Sequence, residues 1–469
     1  MIGLLALGVG LLAVAALGVA LIEVLLRRAD IGAGLVLGVT VLSATLLDQV
    51  PALAAPGGMR VQVYDVVFAL LLGAGILRLL RVRRFTGFQR CLVLLGLLVL
   101  LSLARGVAAF GIQHSVAESR LYLPFVSAAL YFATFPPSNA LNDRIGKLWL
   151  AMSIPMMVLV CLRWLAVFGG IDVGVPAAKF GADAAVKVID GPYTFFLAHA
   201  LVLTVPFWPL RGPRARRLTL LGAVLLLFVV LLTRRTVWIT LLAGVAVVML
   251  RERRLGPRMA MLVAATALVT VTLYVAFPEA GPPGTEPVAQ SATGTDTLEW
   301  RIQGWSFLYA SWSMDPVHWL VGQPFGSGFT RKVLGSEIGA EPHNFYFSTL
   351  LRMGLVGMLA LIALTGGLLR ALWRIPTRGD GLLDQGLFPA LLTMQVIWCI
   401  TWMIGLEQGI ITGLAVGLAA GRVRGGHLAF PQAGRWRTRE APAGAWPSRS
   451  PARGAADPAG TSSSAGERR

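Results

Sequence analysis

The feature that most constrains this chain is a stretch of about 20 apolar, almost uncharged residues that recurs along its length. At ~1.5 Å per residue a helix of that size crosses the ~30 Å hydrocarbon core of a bilayer. Such runs occur near 2–26, 31–47, 64–80, 89–110, 120–135, 147–168, 193–210, 218–233, 236–250, 258–277, 343–369, 386–404 and 408–420. Composition agrees: 56% of the chain is hydrophobic and 14% charged, where soluble domains carry roughly a quarter charged residues. The predicted fold is therefore all-α, a polytopic membrane helix bundle of about 12–13 transmembrane helices, and no soluble fold fits.

The net charge of +18 is concentrated in short basic groups at the ends of the runs: Arg27-Arg28, Arg81 to Arg84, Lys147, Arg211 to Arg217, Arg251 to Arg254 and Arg370 to Arg378. They fall at every second connection, as the positive-inside rule requires, which argues against a nucleic-acid partner. Four regions follow: transmembrane helices over 1–277, a large extracytoplasmic loop over 278–342, transmembrane helices over 343–420, and a cytoplasmic tail over 421–469. The tail sets nine arginines against Glu440, Asp457 and Glu467 and lacks apolar periodicity, so it reads as disordered and suited to anionic lipid. The N-terminus lacks a signal peptide's basic n-region, so the first run is expected to remain as a helix. Cys91, Cys161 and Cys399 lie within apolar runs, which points to neither a disulfide framework nor a zinc site.

The 278–342 connection is long enough to demand a function. Its seven acids outnumber Arg301, Arg331 and Lys332, which places it on the outer side, and a probe at Gly294 is expected to report that side. Its centre sets Leu298, Ile302, Trp305, Tyr309 and Trp312 on one helical face, the pattern of an interfacial helix lying on membrane. Gly322 to Gly328 reads as a turn, because the strand, helix and Lys-Ser or Lys-Thr pair of a phosphate loop are missing.

Arginines on the outer side run against the topology bias. Arg234 and Arg235 stand between two runs of about 24 Å each, short of the core, so they are expected to be drawn into the membrane edge. A lipid phosphate or pyrophosphate would stabilise them there; snorkelling to headgroups is the plainer reading. Arg301 lies toward the apolar side of its helix, with the same two readings. Glu341-Pro342-His343-Asn344 opens the next apolar run, with Pro342 expected in its first turn. The helix dipole would favour anions there and keep His343 neutral, fit to act as a base; an ordinary interfacial histidine is the alternative. Arg105, His114, Glu118 and Arg120 surround one short loop and could pair with each other or touch a ligand. Arg352 lies half a helical turn round from His343, and Glu407 is its expected partner. The lack of an Asp-x-Asp pair or Cys/His cluster gives a metal-dependent mechanism little support.

In chain order, Thr233-Arg234-Arg235-Thr236-Val237-Trp238, Arg301-Ile302-Gln303-Gly304-Trp305, Trp319 through Phe329, and His343-Asn344 with Leu350, Gly354 and Gly357 resemble signatures of the O-antigen ligase and polymerase superfamily of bacterial envelope glycosyltransferases. The resemblance covers roughly 218–370; it departs from the family at Arg352, a position often acidic there, and in its adjacent arginine pair. It implies a metal-independent, inverting glycosyltransferase of the bacterial inner membrane, with no cofactor and a site facing the extracytoplasmic side. Its donor would be a glycan on polyprenyl (undecaprenyl) diphosphate, and its acceptor a glycan or lipid-linked sugar hydroxyl. His343, Arg301, Arg234 and Arg235 would be catalytic; Asn344, Arg120, Trp305 and Arg105 would bind substrate. Two other classes remain: a transporter of lipid-linked glycans, and a glycosyltransferase using a polyprenyl monophosphate.

Overall fold

The computed structural model describes residues 16–46, 60–136, 138–170, 188–251, 296–333, 336–339, 341–375 and 381–423. The apolar run at 258–277, Gly294 and the tail beyond 423 lie outside these residues. Within them every apolar run is helical: α1 (16–27), α2 (Ala29–Leu46), α3 (Val63–Leu79), α4 (Gly87–Phe110), α5 (Ile112–Ser119), α6 (Leu123–Phe132), α7 (Asn139–Gly169), α8 (Gly191–Thr204), α9 (Pro213–Leu231) and α10 (Arg235–Arg251) come first. α11 (Asp296–Ser313), α12 (Pro316–Val321), α13 (Phe345–Leu372), α14 (Phe388–Thr401) and α15 (Leu406–Val423) follow. By length and composition α4, α7 and α13 are long and apolar enough to cross a membrane. The fold is an all-α membrane helical one, with one small departure: β1 (Thr330–Val333) pairs antiparallel with β2 (Ser336–Gly339) in a hairpin.

Two helices make the centre, α15 and the short α6. All of α15 from Leu406 to Gly421 is buried, and so is nearly all of α6. Glycine at four-residue intervals explains how closely they approach. A Cβ on Gly409 would stand 2.6 Å from the Phe125 carbonyl oxygen, and one on Gly413 would stand 2.5 Å from that of Ala129. Small residues at this spacing let helices pack backbone to backbone in lipid.

Helix ends follow local chemistry. The Thr86 hydroxyl caps α4 through the Gln89 N–H, and Ser138 caps α7 through that of Leu141 at 3.2 Å. α9 begins at Pro213, not near 218, so Arg214, Arg216 and Arg217 lie in its first turns and the helix is longer than the apolar run alone.

α13 is broken at Gly354, whose φ of 63° and ψ of −165° lie in a region essentially restricted to glycine. The break frees the Leu351 carbonyl to accept the Gln323 N–H at 2.7 Å. It also admits the end of α12, since a Cβ on Gly354 would meet the Leu320 oxygen at 2.2 Å. Gly354→Ala is therefore expected to destabilise the protein by about 1–3 kcal/mol from backbone strain alone, plus the clash. Thermal unfolding in detergent measures it, and an unchanged Tm would contradict this account of the kink.

Candidate active site

The chain enters α13 through Glu341, Pro342, His343 and Asn344. The helix begins at Phe345, with Asn344 as its N-cap: the Asn344 Oδ1 accepts the Phe347 N–H at 2.9 Å. Pro342 thus precedes the cap and is not in the first turn as the sequence pattern predicted. Two side chains hold this entry. The Trp305 indole N–H donates to the Pro342 carbonyl at 2.7 Å, and Arg331 donates to that of Glu341 at 3.4 Å. His343 lies edge-on to the Trp402 indole, with ring centroids 5.5 Å apart.

His343 is held neutral far below its ordinary range. Burial lowers its pKa most, and the positive charges of Arg301 and Arg331 add to this, bringing it down to about 4. The helix dipole invoked from sequence is not the main cause. Glu341 moves the other way: burial, then the Glu118 carboxylate, push it above the usual carboxylate range.

Arg301 projects from α11 toward α14, where it donates to the Thr401 carbonyl at 3.4 Å. Its Nε is buried with no hydrogen-bond partner among the described residues. Arg331, on β1, is 1% exposed and occupies a notch that only glycine provides. A Cβ on Gly304 would lie 2.7 Å from the Arg331 Cδ and Nε. The buried face of α11 carries Gly304, Leu308 and Trp312, while Ile302 and Tyr309 are exposed. The helix is therefore rolled by about 80° from the predicted stripe, at ~100° per residue. The Leu298 side chain lies outside the described residues.

Arg234 sits in the break between α9 and α10. It donates to the Ile189 carbonyl at 2.8 Å and stands 3.8 Å from the Asp190 carboxylate, with its Nε buried and without a hydrogen-bond partner among the described residues. Arg235 opens α10 and is exposed. The segment bonded to Arg234 continues into Gly191, where a Cβ would stand 2.8 Å from the Trp402 indole. Thr236 and Thr401 hydroxyls meet at 3.3 Å. Thr401 and Trp402 thus form a hub that α10, α11, the start of α8 and His343 all reach.

Backbone strain marks the same places. Among the described residues, the non-glycine positions with positive φ are Thr233 and His343, each at 49°. A β-branched residue there is a genuine outlier, and such strain of order 1–3 kcal/mol gathers at functional sites. One position precedes Arg234; the other is the histidine itself.

Arg105, Arg120 and Arg352 are engaged elsewhere. Arg105 donates to the Val321 and Gly322 carbonyls at 3.2 and 3.0 Å. Arg120 is paired with Asp65 at 2.9 Å. Trp305 and Asn344 brace the entry to α13. Arg352 is fully buried and paired with Glu118, not with the predicted Glu407. Sequence reasoning passed over Arg331, Asp190 and Trp402. Arg331 carried the same signal as Arg301, a cation on the outer side; the other two carried none. Among the described residues no group of three His, Cys, Asp or Glu side chains is placed to hold a metal ion.

Residues 220–362 match the family model described as O-antigen ligase. The matched region contains Arg234, Arg301, Arg331 and His343. No curated protein matches the chain.

Proposed function

We propose that this chain, a member of the O-antigen ligase and polymerase superfamily through residues 220–362, moves a glycan from a polyprenyl diphosphate carrier to the hydroxyl of an acceptor sugar. One observation carries this reading: His343 is kept neutral beside the buried Arg331 and the half-buried Arg301, a base set against an anion site. In this scheme the imidazole takes the acceptor hydroxyl proton as its oxygen bonds to the anomeric carbon. The bond from that carbon to the diphosphate oxygen breaks on the opposite face, and the configuration inverts. Arg301 and Arg331 would face the negative charge that develops on the departing diphosphate, with Arg234 reaching toward it from the break before α10. Stabilising such charge with pre-placed donors in a dry site is usually the largest catalytic contribution. The Nε atoms of Arg301 and Arg234, without partners among the described residues, are donors left for it. We place the site on the extracytoplasmic face of the inner membrane, with helices 1–277 and 343–420 flanking the 278–342 loop.

The test is transfer by purified protein in vesicles, given polyprenyl-diphosphate-linked glycan and an acceptor. Arg301→Ala is expected to weaken donor binding and slow turnover together. Lysine at that position should rescue only partly, since a point charge replaces a planar fork. Arg234→Ala should cost far more activity than Arg235→Ala, because Arg235 is exposed and Arg234 is not. Movement of the intact donor across the bilayer without bond cleavage would select the transporter reading instead.

The reaction needs no metal in this scheme, since arginines neutralise the leaving group and a histidine takes the proton. Transfer is expected to persist in excess chelator. Activity lost with EDTA and regained with magnesium or manganese would favour the monophosphate-dependent class.

A further inference from the structure

The segment from Asp315 to Phe329 packs against both α4 and α13. We infer that it is a re-entrant element that dips into the hydrocarbon of the leaflet on the His343 side. Its exposed apolar face, Val317, Trp319 and Leu320, with Met314 just before it, would there contact lipid acyl chains.

Depth is the first argument. The end of α12 packs against Gly354 of α13, and Gly322 lies against Arg352, where a Cβ would be 2.2 Å from the carbonyl carbon. On the other side Arg105 of α4 donates to Val321 and Gly322, and the Ser102 hydroxyl donates to the Gln323 carbonyl at 3.4 Å. Both helices have a basic group near their far end: Arg370 in the last turn of α13 and Arg90 near the start of α4. From Arg370 to Gly354 the rise is about 24 Å, and from Arg90 to Ser102 and Arg105 about 18–22 Å. A hydrocarbon core is ~30 Å thick. Two antiparallel helices, counted independently, put residues 320–323 inside it.

Hydrogen bonding is the second argument. Irregular backbone survives at membrane depth only where protein groups satisfy it. Here they do. The carbonyls of Val321 and Gly322 accept from Arg105, and that of Gln323 from Ser102. The Gln323 N–H goes to Leu351, and that of Phe325 to the Ser102 carbonyl at 3.3 Å. The Phe325 carbonyl accepts from the Ser115 hydroxyl at 3.2 Å. The Glu118 carboxylate accepts the N–H groups of Gly326 and Gly328 at 2.7 and 3.3 Å. Arg352 donates to the Gly328 carbonyl, the Ser327 hydroxyl and, at 3.1 Å, the Gln323 side chain. A loop in water needs none of this.

The exposed face is the third argument. Met314, Val317, Trp319 and Leu320 are 83, 55, 41 and 60% exposed. Leu320 packs against α13 at Gly354, and Leu355 and Leu359, next along that helix, are also exposed on a helix apolar enough to cross a membrane. The inference concerns the loop's position alone and does not depend on the transferase reading.

Nitroxide labels test it, on Val317→Cys and Leu320→Cys in full-length protein in phosphatidylcholine vesicles, with Cys91, Cys161 and Cys399 replaced by alanine. Both labels are expected to relax with oxygen and resist a water-soluble nickel chelate, as a label on Leu359→Cys should. Ser306→Cys, on the exposed side of α11, should show the reverse. Val317 gives the same reading if a label at 320 is not tolerated. Chelate-accessible labels at 317 and 320, with oxygen still dominant at 359, would overturn the inference.

Discussion

His343→Asn is expected to lower turnover by about 10²- to 10⁴-fold, the usual cost of losing a general base, while leaving donor affinity close to that of the parent protein. Asparagine is the informative replacement because it tolerates the left-handed backbone that His343 adopts; alanine would mix lost chemistry with added strain. Glycine at 343 should behave like asparagine if the imidazole alone matters. The pH dependence offers an independent check. The base must be neutral, and burial with two neighbouring guanidinium groups brings its pKa down to about 4. The neutral form therefore persists as pH falls through 6.5, where an ordinary histidine would already be half protonated. Turnover should stay level with respect to this group from pH 8 to about 5 and fall as pH approaches 4. A profile that falls with a midpoint near 6.5 would show that His343 is not held as described, and near-normal turnover in His343→Asn would remove it from the chemistry.

Glu118→Ala should be the most destabilising change in the described structure, by about 3–5 kcal/mol, the range found when one partner of a buried ion pair is removed. Arg352 is 0% exposed, and Glu118 is the carboxylate bonded to its guanidinium. The same substitution strands the N–H groups of Gly326 and Gly328. Adding Arg352→Leu to Glu118→Ala should recover part of the loss, because the uncompensated charge goes with it. The measurement is thermal unfolding of the single and double variants in detergent. A loss below about 1 kcal/mol for Glu118→Ala, in the range of exposed pairs, would mean that water reaches Arg352.

The helices were legible because hydropathy is a local property: each run in the described residues became a helix, though polar first turns carry α7 back to Asn139 and α9 back to Pro213, ahead of their apolar runs. Arg301, Arg234 and His343 were legible for a related reason, since polar groups beside apolar runs stand out. Pairings were not. Arg352 meets Glu118 only because α4, α5 and α13 converge on one turn, and nothing in the spacing of residues 118 and 352 encodes that. The stripe on α11 was misplaced because Ile302 and Tyr309 are as apolar as the residues actually buried. What rolled the helix was the notch at Gly304, filled by Arg331 from a hairpin that hydropathy cannot see. Trp402 was invisible for the same reason. It is one aromatic among many in sequence and becomes distinctive only where Gly191 and His343 close on it.

The two left-handed residues bear on how this protein can be engineered. A redesign guided by stability alone would put glycine at 233 and 343, since a threonine and a histidine there hold conformations that cost free energy. Such a procedure would begin by erasing the backbone beside Arg234 and the imidazole itself. Thermostabilised versions made for structural work should keep both positions fixed and draw their gains from the lipid-facing helices.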